Sequence, residues 1–193
     1  MFRYLSGTHD IVLTYGGERH DLLGFTDADG ASQEHCCAIS GHTFIMDGGT
    51  VSWSLQKQEL VTLSTAEVEY VVAMHAAKEG IWLRRLTGEI LTSKLESMML
   101  YCDNQAALKL TQDDNYHVHT KHIDIHYHFI RNVVEWGLID LQYCPVDDMT
   151  ADILTKALPH WKVTQHMLRL GLRCPCEGVM ELEWAGAPTV EAE

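Results

Sequence analysis

Positive charge is scarce in this sequence. Fourteen Lys and Arg stand against 27 Asp and Glu in 193 residues, a formal net charge of −13. A chain this acidic does not hold nucleic acid by bulk electrostatic attraction, so a polyanionic partner would need metal ions or a local basic groove. Long apolar runs are lacking as well. None approaches the ~20 residues of a membrane-spanning helix, and Met1-Phe2-Arg3-Tyr4-Leu5 lacks the long apolar stretch of a secretory signal. The expectation is a soluble, intracellular protein of the cytoplasm or nucleus with no membrane partner. Six cysteines, at positions 36, 37, 102, 144, 174 and 176, are too few for a disulfide scaffold and mostly fall inside apolar segments, which predicts reduced, largely buried thiols. Cys174-Pro175-Cys176 has no second pair at zinc-ribbon spacing.

What remains is globular composition, 46% apolar with 21% charged, in a chain the length of one domain. Residues 1–20 read as a short helix or strand and a turn, a remnant of a connection to something upstream. From Leu22 the pattern turns sheet-like, with strands expected at 22–29, 35–46 and 51–56 and a hairpin turn at Asp47-Gly48-Gly49. Residues 64–91 change period: Val68, Val72, Ala76, Leu83 and Leu86 recur at helical spacing, no proline interrupts, and Ser64 or Thr65 can cap the start. A strand at 97–102, helices at 104–111 and 121–136, a strand at 138–146, a helix at 147–158 and a weak helix at 161–170 follow. The helix that begins at 121 is closed by Gly137 and the one that begins at 147 is stopped by Pro159. Five glutamates and no basic residue follow Arg173, so a C-terminal helix and acidic tail occupy 159–193 outside a main domain at 21–158.

Four acidic residues occupy positions where a core should be. Leu23, Phe25, Asp27 and Asp29 share one strand face, so an apolar row runs into two carboxylates. Glu69 aligns with Val72, Ala73 and Ala76 and so faces inward near a first helical turn. Asp103 ends the strand at 97–102, and Asp152 lies one turn after Asp148 in the helix expected at 147–158. Each has an ordinary explanation alone, as a turn residue, a dipole-friendly residue, an N-cap or a solvated face. Together they suit hard divalent cations, which prefer carboxylate oxygens. Two such ions roughly 4 Å apart can activate a water and stabilise the leaving oxygen of a phosphodiester.

These residues lie in stretches that resemble the ribonuclease H domain at the C-terminal end of copia-type (Pseudoviridae-like) retrotransposon Pol polyproteins. The stretches are Phe25-Thr26-Asp27-Ala28-Asp29, Val51-Ser52-Trp53-Ser54, Leu63-Ser64-Thr65-Ala66-Glu67-Val68-Glu69-Tyr70, Trp82-Leu83-Arg84-Arg85-Leu86, Tyr101-Cys102-Asp103-Asn104-Gln105, Thr120-Lys121-His122-Ile123-Asp124-Ile125, Tyr127-His128-Phe129-Ile130-Arg131 and Ala151-Asp152-Ile153-Leu154-Thr155-Lys156. Arg3-Tyr4-Leu5-Ser6-Gly7-Thr8 looks like the segment that joins reverse transcriptase to this domain. The resemblance implies a ribonuclease H-like α/β fold, a mixed five-stranded sheet flanked by helices. It implies hydrolysis of the RNA strand of RNA–DNA hybrids with two Mg²⁺ or Mn²⁺ ions, inside a virus-like particle in the parent element, with a reverse transcriptase or polyprotein as partner in cis or trans. It carries metal ligation and catalysis to Asp27, Glu69, Asp103 and Asp152, the choice of Asp27 over Asp29 and of Glu69 over Glu67 resting on the family pattern. Substrate contacts carry to Asn104, Gln105, Lys121, His122 and Arg131. The sequence departs from that pattern at Gly30, where a Trp is usual, and at Glu34-His35-Cys36-Cys37-Ala38-Ile39, which replaces a Ser/Thr-rich segment. Both changes touch substrate contact more than chemistry.

Two other readings compete. His117, His119, His122, His126 and His128 crowd one segment, with His122 and His126 at i, i+4, a zinc-ligand spacing that would suit a zinc-dependent hydrolase or a zinc-stabilised interaction module. The other keeps the fold and drops the activity, leaving a catalytically silent remnant that serves as an interaction surface.

Overall fold

A computed structural model describes residues 2–16, 21–29, 38–58, 65–91, 97–105, 108 and 124–174. The chain begins with helix α1 (Phe2–Gly7) and the two-residue strand β1 (Val12–Leu13). Strands β2 (Leu23–Asp29), β3 (Ile39–Met46) and β4 (Gly49–Lys57) follow, then the 27-residue helix α2 (Thr65–Leu91) and strand β5 (Met98–Cys102). Helix α3 (Asp124–Glu135), strand β6 (Ile139–Tyr143), the short helix α4 (Asp152–Thr155), helix α5 (His160–Arg169) and strand β7 (Leu172–Arg173) complete it. Five strands form one mixed sheet in the order β4-β3-β2-β5-β6, with β2/β3 and β3/β4 antiparallel and β2/β5 and β5/β6 parallel. This is the flanked five-stranded sheet the sequence implied. No helix among the described residues is long and apolar enough to cross a membrane.

The β3–β4 hairpin closes because Asp47 and Gly48 both take positive φ, 52° and 76°, the turn whose twist matches that of paired strands. Both faces of the sheet are covered, which is why central β2 is buried along most of its length, Thr26 and Asp27 included. On one face α2 and α3 pack Ala76, Ala77, Leu83 and Val133 against Leu22, Phe44, Leu100 and Ile139. On the other, Leu23, Phe25, Ile45 and Tyr101 meet Met149, Ala151 and Leu170. Phe25 and Tyr101, partners in the β2/β5 register, stack with ring centroids 5.0 Å apart. These contacts fix the ends of β2 and β5 relative to each other, which matters because both strands end in carboxylates.

Several boundaries differ from expectation. The helix expected at 147–158 shrinks to four residues. Asp148 and Asp152 close successive turns on the carbonyls of Pro145 and Met149, and Arg169 from α5 holds the Asp148 carboxylate at 2.5 Å, so the segment before Ala151 is bent onto the core instead of coiled. The strand expected to reach 146 stops at Tyr143, before Pro145, which has no N–H to donate to a ladder. The first and last described strands also pair, which local periodicity cannot reveal. β1 pairs with β7, Thr14 donates its N–H to the Gly171 carbonyl at 2.8 Å, and Thr50 donates to that of Leu170 at 3.0 Å. Most of the helix expected at 104–111 and the first three residues of the strand expected at 35–46 lie outside the described residues, as do Cys36, Cys37 and Cys176. Among the described cysteines Cys102 and Cys144 are buried free thiols, as expected, and Cys174 is exposed.

Candidate active site

Each acid reaches the site for a separate local reason. Asp27 lies two residues from the end of β2 and is fully buried on the sheet face covered by α4. Its register partner on β3 is Gly41, and a Cβ there would come within 2.7 Å of Thr155 Cγ2 and 3.2 Å of Leu154 Cβ. A residue without a side chain opposite Asp27 is therefore what lets α4 lie directly on the sheet. Thr155 then donates its hydroxyl to Asp27 Oδ2, and Asp152 arrives one helical turn earlier on the same element. Glu69, in the second turn of α2, leans over the end of β2, where the Ala28 N–H donates to its Oε1 at 3.3 Å. Asp103 follows the last residue of β5, which the parallel register sets beside Thr26, one residue from Asp27.

The structure thus brings Asp27, Glu69, Asp103 and Asp152 together. Carboxylate oxygens of Asp27, Asp103 and Asp152 lie within 4.8 Å of one another, and oxygens of Glu69 and Asp103 lie within the same distance of each other and of Cys102 Sγ. Asp103 belongs to both groups. Burial, reinforced by the negative charges of Asp103 and Asp27, pushes the Glu69 carboxyl up to about 9. Burial and the Asp27 charge push Asp152 up to about 6 and raise Asp103 as well. Glu69 is 7% exposed, and its Oε2 is buried with no hydrogen-bond partner among the described residues. Four crowded carboxylates, whose mutual repulsion a cation would relieve, and one carboxylate oxygen with no partner among the described residues suit hard divalent cations. The residues present therefore fit the expected ions. Burial and the Glu69 charge push the Cys102 thiol up to about 12, so it stays protonated at neutral pH.

One participant carries no role in the sequence reading although it lies inside a quoted motif. Lys156, the residue that ends α4, places Nζ 2.9 Å from Asp27 Oδ1 and 3.0 Å from Asp152 Oδ1. Burial works against its charge, but the bonds from Asp27 and Asp152 prevail and hold its proton affinity above that of an ordinary lysine. The available signal was spacing: Thr155 and Lys156 stand three and four residues after Asp152. Of the expected substrate contacts, Asn104 follows Asp103 and donates its N–H to Cys102 Sγ at 3.5 Å, and Gln105 is exposed beside it. Arg131 lies on α3, its Nε 3.7 Å from Glu135. Lys121 and His122 lie outside the described residues, as do His117 and His119, while the exposed His128 lies on α3.

No protein-family profile matches the chain. Among solved structures it resembles an N-terminal RNase H domain from Mycobacterium tuberculosis, with a TM-score of 0.52 and 13% identity over 70% of this chain and 90% of that one. It also resembles LC11-RNase H1 in complex with an RNA/DNA hybrid, with a TM-score of 0.51 and 14% identity over 69% of this chain and 93% of that one. The fold is that of ribonuclease H. In sequence the chain is 39% identical over 163 residues, 84% of its length, to the retrovirus-related Pol polyprotein from transposon TNT 1-94 of Nicotiana tabacum. The chain accordingly belongs with the ribonuclease H domains of copia-type retrotransposon Pol polyproteins. It spans 12% of the length of that relative.

Proposed function

We propose that this domain is a divalent-metal-dependent endonuclease that hydrolyses the RNA strand of RNA–DNA hybrids, as the ribonuclease H part of a retrotransposon Pol that works with a reverse transcriptase in cis or in trans. The observation that carries this reading is the convergence of Asp27, Glu69, Asp103 and Asp152 from β2, α2, the residue after β5 and α4, with Glu69 Oε2 unpaired among the described residues. Those four side chains would hold Mg²⁺ or Mn²⁺, two ions in the full reading. When bound, such ions supply the positive charge that polarises a water and the scissile phosphate.

The chain's own residues prepare the place. Thr155 fixes one oxygen of Asp27, the Ala28 N–H orients Glu69, and the β2/β5 register sets Asp103 between the others. The protonated Cys102 thiol offers no nucleophile, so attack falls to water. With a net charge of −13 the chain repels a polyanion until cations neutralise this end of the sheet, so productive contact with the hybrid depends on them twice over. Discrimination would rest on the sugar, since a 2′-hydroxyl separates RNA from DNA at any sequence.

Incubation of the protein with a labelled RNA–DNA hybrid at low salt, with Mg²⁺ and separately with Mn²⁺, tests the reading. Expected is sequence-tolerant cutting of the RNA strand, absent in EDTA and in Glu69→Gln, with duplex DNA left whole. Well-folded protein that leaves the hybrid intact under both metals would favour a silent binding module.

A further inference from the structure

The acidic centre is asymmetric. On its Asp27–Asp152 side a lysine ammonium lies at hydrogen-bond distance from both carboxylates. On its Glu69–Asp103 side no cation among the described residues lies within bonding reach, and Glu69 carries a buried oxygen with no partner among them. We propose that Lys156 is a resident cation of this centre: its ammonium takes the place of one divalent ion between Asp27 and Asp152, so that one ion binds firmly through Glu69 and Asp103 and a second binds only by displacing the lysine. The inference rests on the metal-dependent reading above and assigns Lys156 as a positioning residue within it.

Three features support the assignment. The ammonium does for Asp27 and Asp152 what a metal would do, since it places positive charge between two buried carboxylates that would otherwise repel each other. It can leave at modest cost. Lys156 stands where α4 ends and the backbone is already extended (φ −121°, ψ 148°), its side chain is one-third exposed, and a four-carbon stem can carry the charge to water. Glu69 gains nothing comparable from Lys156, because its Oε1 is satisfied by a neutral backbone N–H and its Oε2 by nothing among the described residues. A site whose two halves differ in this way binds two like cations with unequal affinity, because the second must first evict a charge of its own sign.

Titration of metal-stripped protein with Mn²⁺, followed by the electron paramagnetic resonance of the free ion and by calorimetry, tests this without recourse to activity. Wild-type protein should bind one Mn²⁺ firmly and a second weakly. Lys156→Met should tighten the second event by at least about tenfold, the scale expected when one unit charge is removed from a partly screened site, and tighten the first by clearly less. In EDTA the same variant should melt below wild type, and Mn²⁺ should raise its melting temperature by more. Lys156→Arg, which keeps the charge, should retain the unequal affinities. If Lys156→Met does not fold without metal, Lys156→Gln, uncharged but still a donor, gives the same readout. A second affinity unchanged or weakened in the uncharged variants would overturn the proposal. Mn²⁺ binding that is abolished by Glu69→Gln yet indifferent to Lys156 would overturn it alone and leave the nuclease reading standing. No Mn²⁺ binding by wild-type protein would sink both.

Discussion

Two places in this domain bury ionisable groups with orphaned polar atoms, and they solve the problem in opposite ways. In the acidic centre the buried groups share partners: Asp27 is fully buried, but Lys156 and Thr155 reach it, and the neighbouring Glu69 and Asp152 hold protons more tightly than usual. At His166 on α5 the charge is given up. That side chain is also fully buried, neither ring nitrogen has a partner among the described residues, and burial, aided by the positive charges of Arg169 and Lys162, pushes the imidazole down to about 4. Both groups are strongly perturbed, yet only one place brings several donors to a common point. Perturbation by itself therefore does not mark a functional site. Convergence does, because a bound ion needs several ligands whereas a neutral imidazole needs only to be kept from water.

The comparison breaks most sharply through chemistry. Asp27→Asn preserves shape but removes the charge around which the centre is built. It should lower hybrid cleavage on the order of a thousandfold, the equivalent of several kcal/mol of lost transition-state stabilisation, in single-turnover assays. His166→Leu should leave cleavage near wild type. If the histidine variant loses activity while still folded, the division between the two places is wrong.

The next effect is in stability. Because folding lowers the His166 affinity for protons from 6.5 to about 4, the unfolded chain binds the extra proton first as acid is added. That contribution is complete above pH 6.5 and is lost as pH falls toward 4, by up to about 3 kcal/mol. Denaturant unfolding of wild type and His166→Leu across this window should diverge in slope, with the variant flatter. Parallel curves would mean that the imidazole is hydrated or paired in solution.

Smaller effects probe how α4 is seated. Thr155→Val removes the hydroxyl donated to Asp27 and should cost roughly 1–3 kcal/mol in thermal or denaturant unfolding, the range for a buried acceptor left short of a partner. Gly41→Ala should lift α4 off the sheet by a few tenths of an ångström or more. The expected consequence is a roughly tenfold loss of cleavage, on the scale by which catalysis responds to misplacement, with the His166 titration unaltered. Unchanged cleavage in Gly41→Ala would show that α4 has slack the close contact does not suggest.

Much of this was legible in the sequence. The period of two in β2 and of 3.6 in α2 placed both elements within a residue or two, and acids interrupting apolar rows at Asp27 and Glu69 pointed to one place. Where local signals misled, long-range contacts had won. The Asp148–Arg169 pair helps bend a segment whose pattern reads as helix, and β1 pairs with β7 across the length of the chain. Only the pairing of Lys156 with Asp152, four residues earlier, could have been read locally, because its other partner Asp27 is 129 positions away.

The sequence by itself therefore determined most of the elements, since hydrophobic period is a local property, while the class of fold and the choice of Asp27 over Asp29 and of Glu69 over Glu67 came from the resemblance to a family pattern. Only the tertiary structure decided that Gly41 makes room for α4, that Lys156 lies between Asp27 and Asp152, and that Glu69 is left with an unsatisfied oxygen. Those facts depend on which strand lies beside which and on how closely a helix can approach. Register and close packing across distant segments set them, and no window of neighbouring residues contains that information.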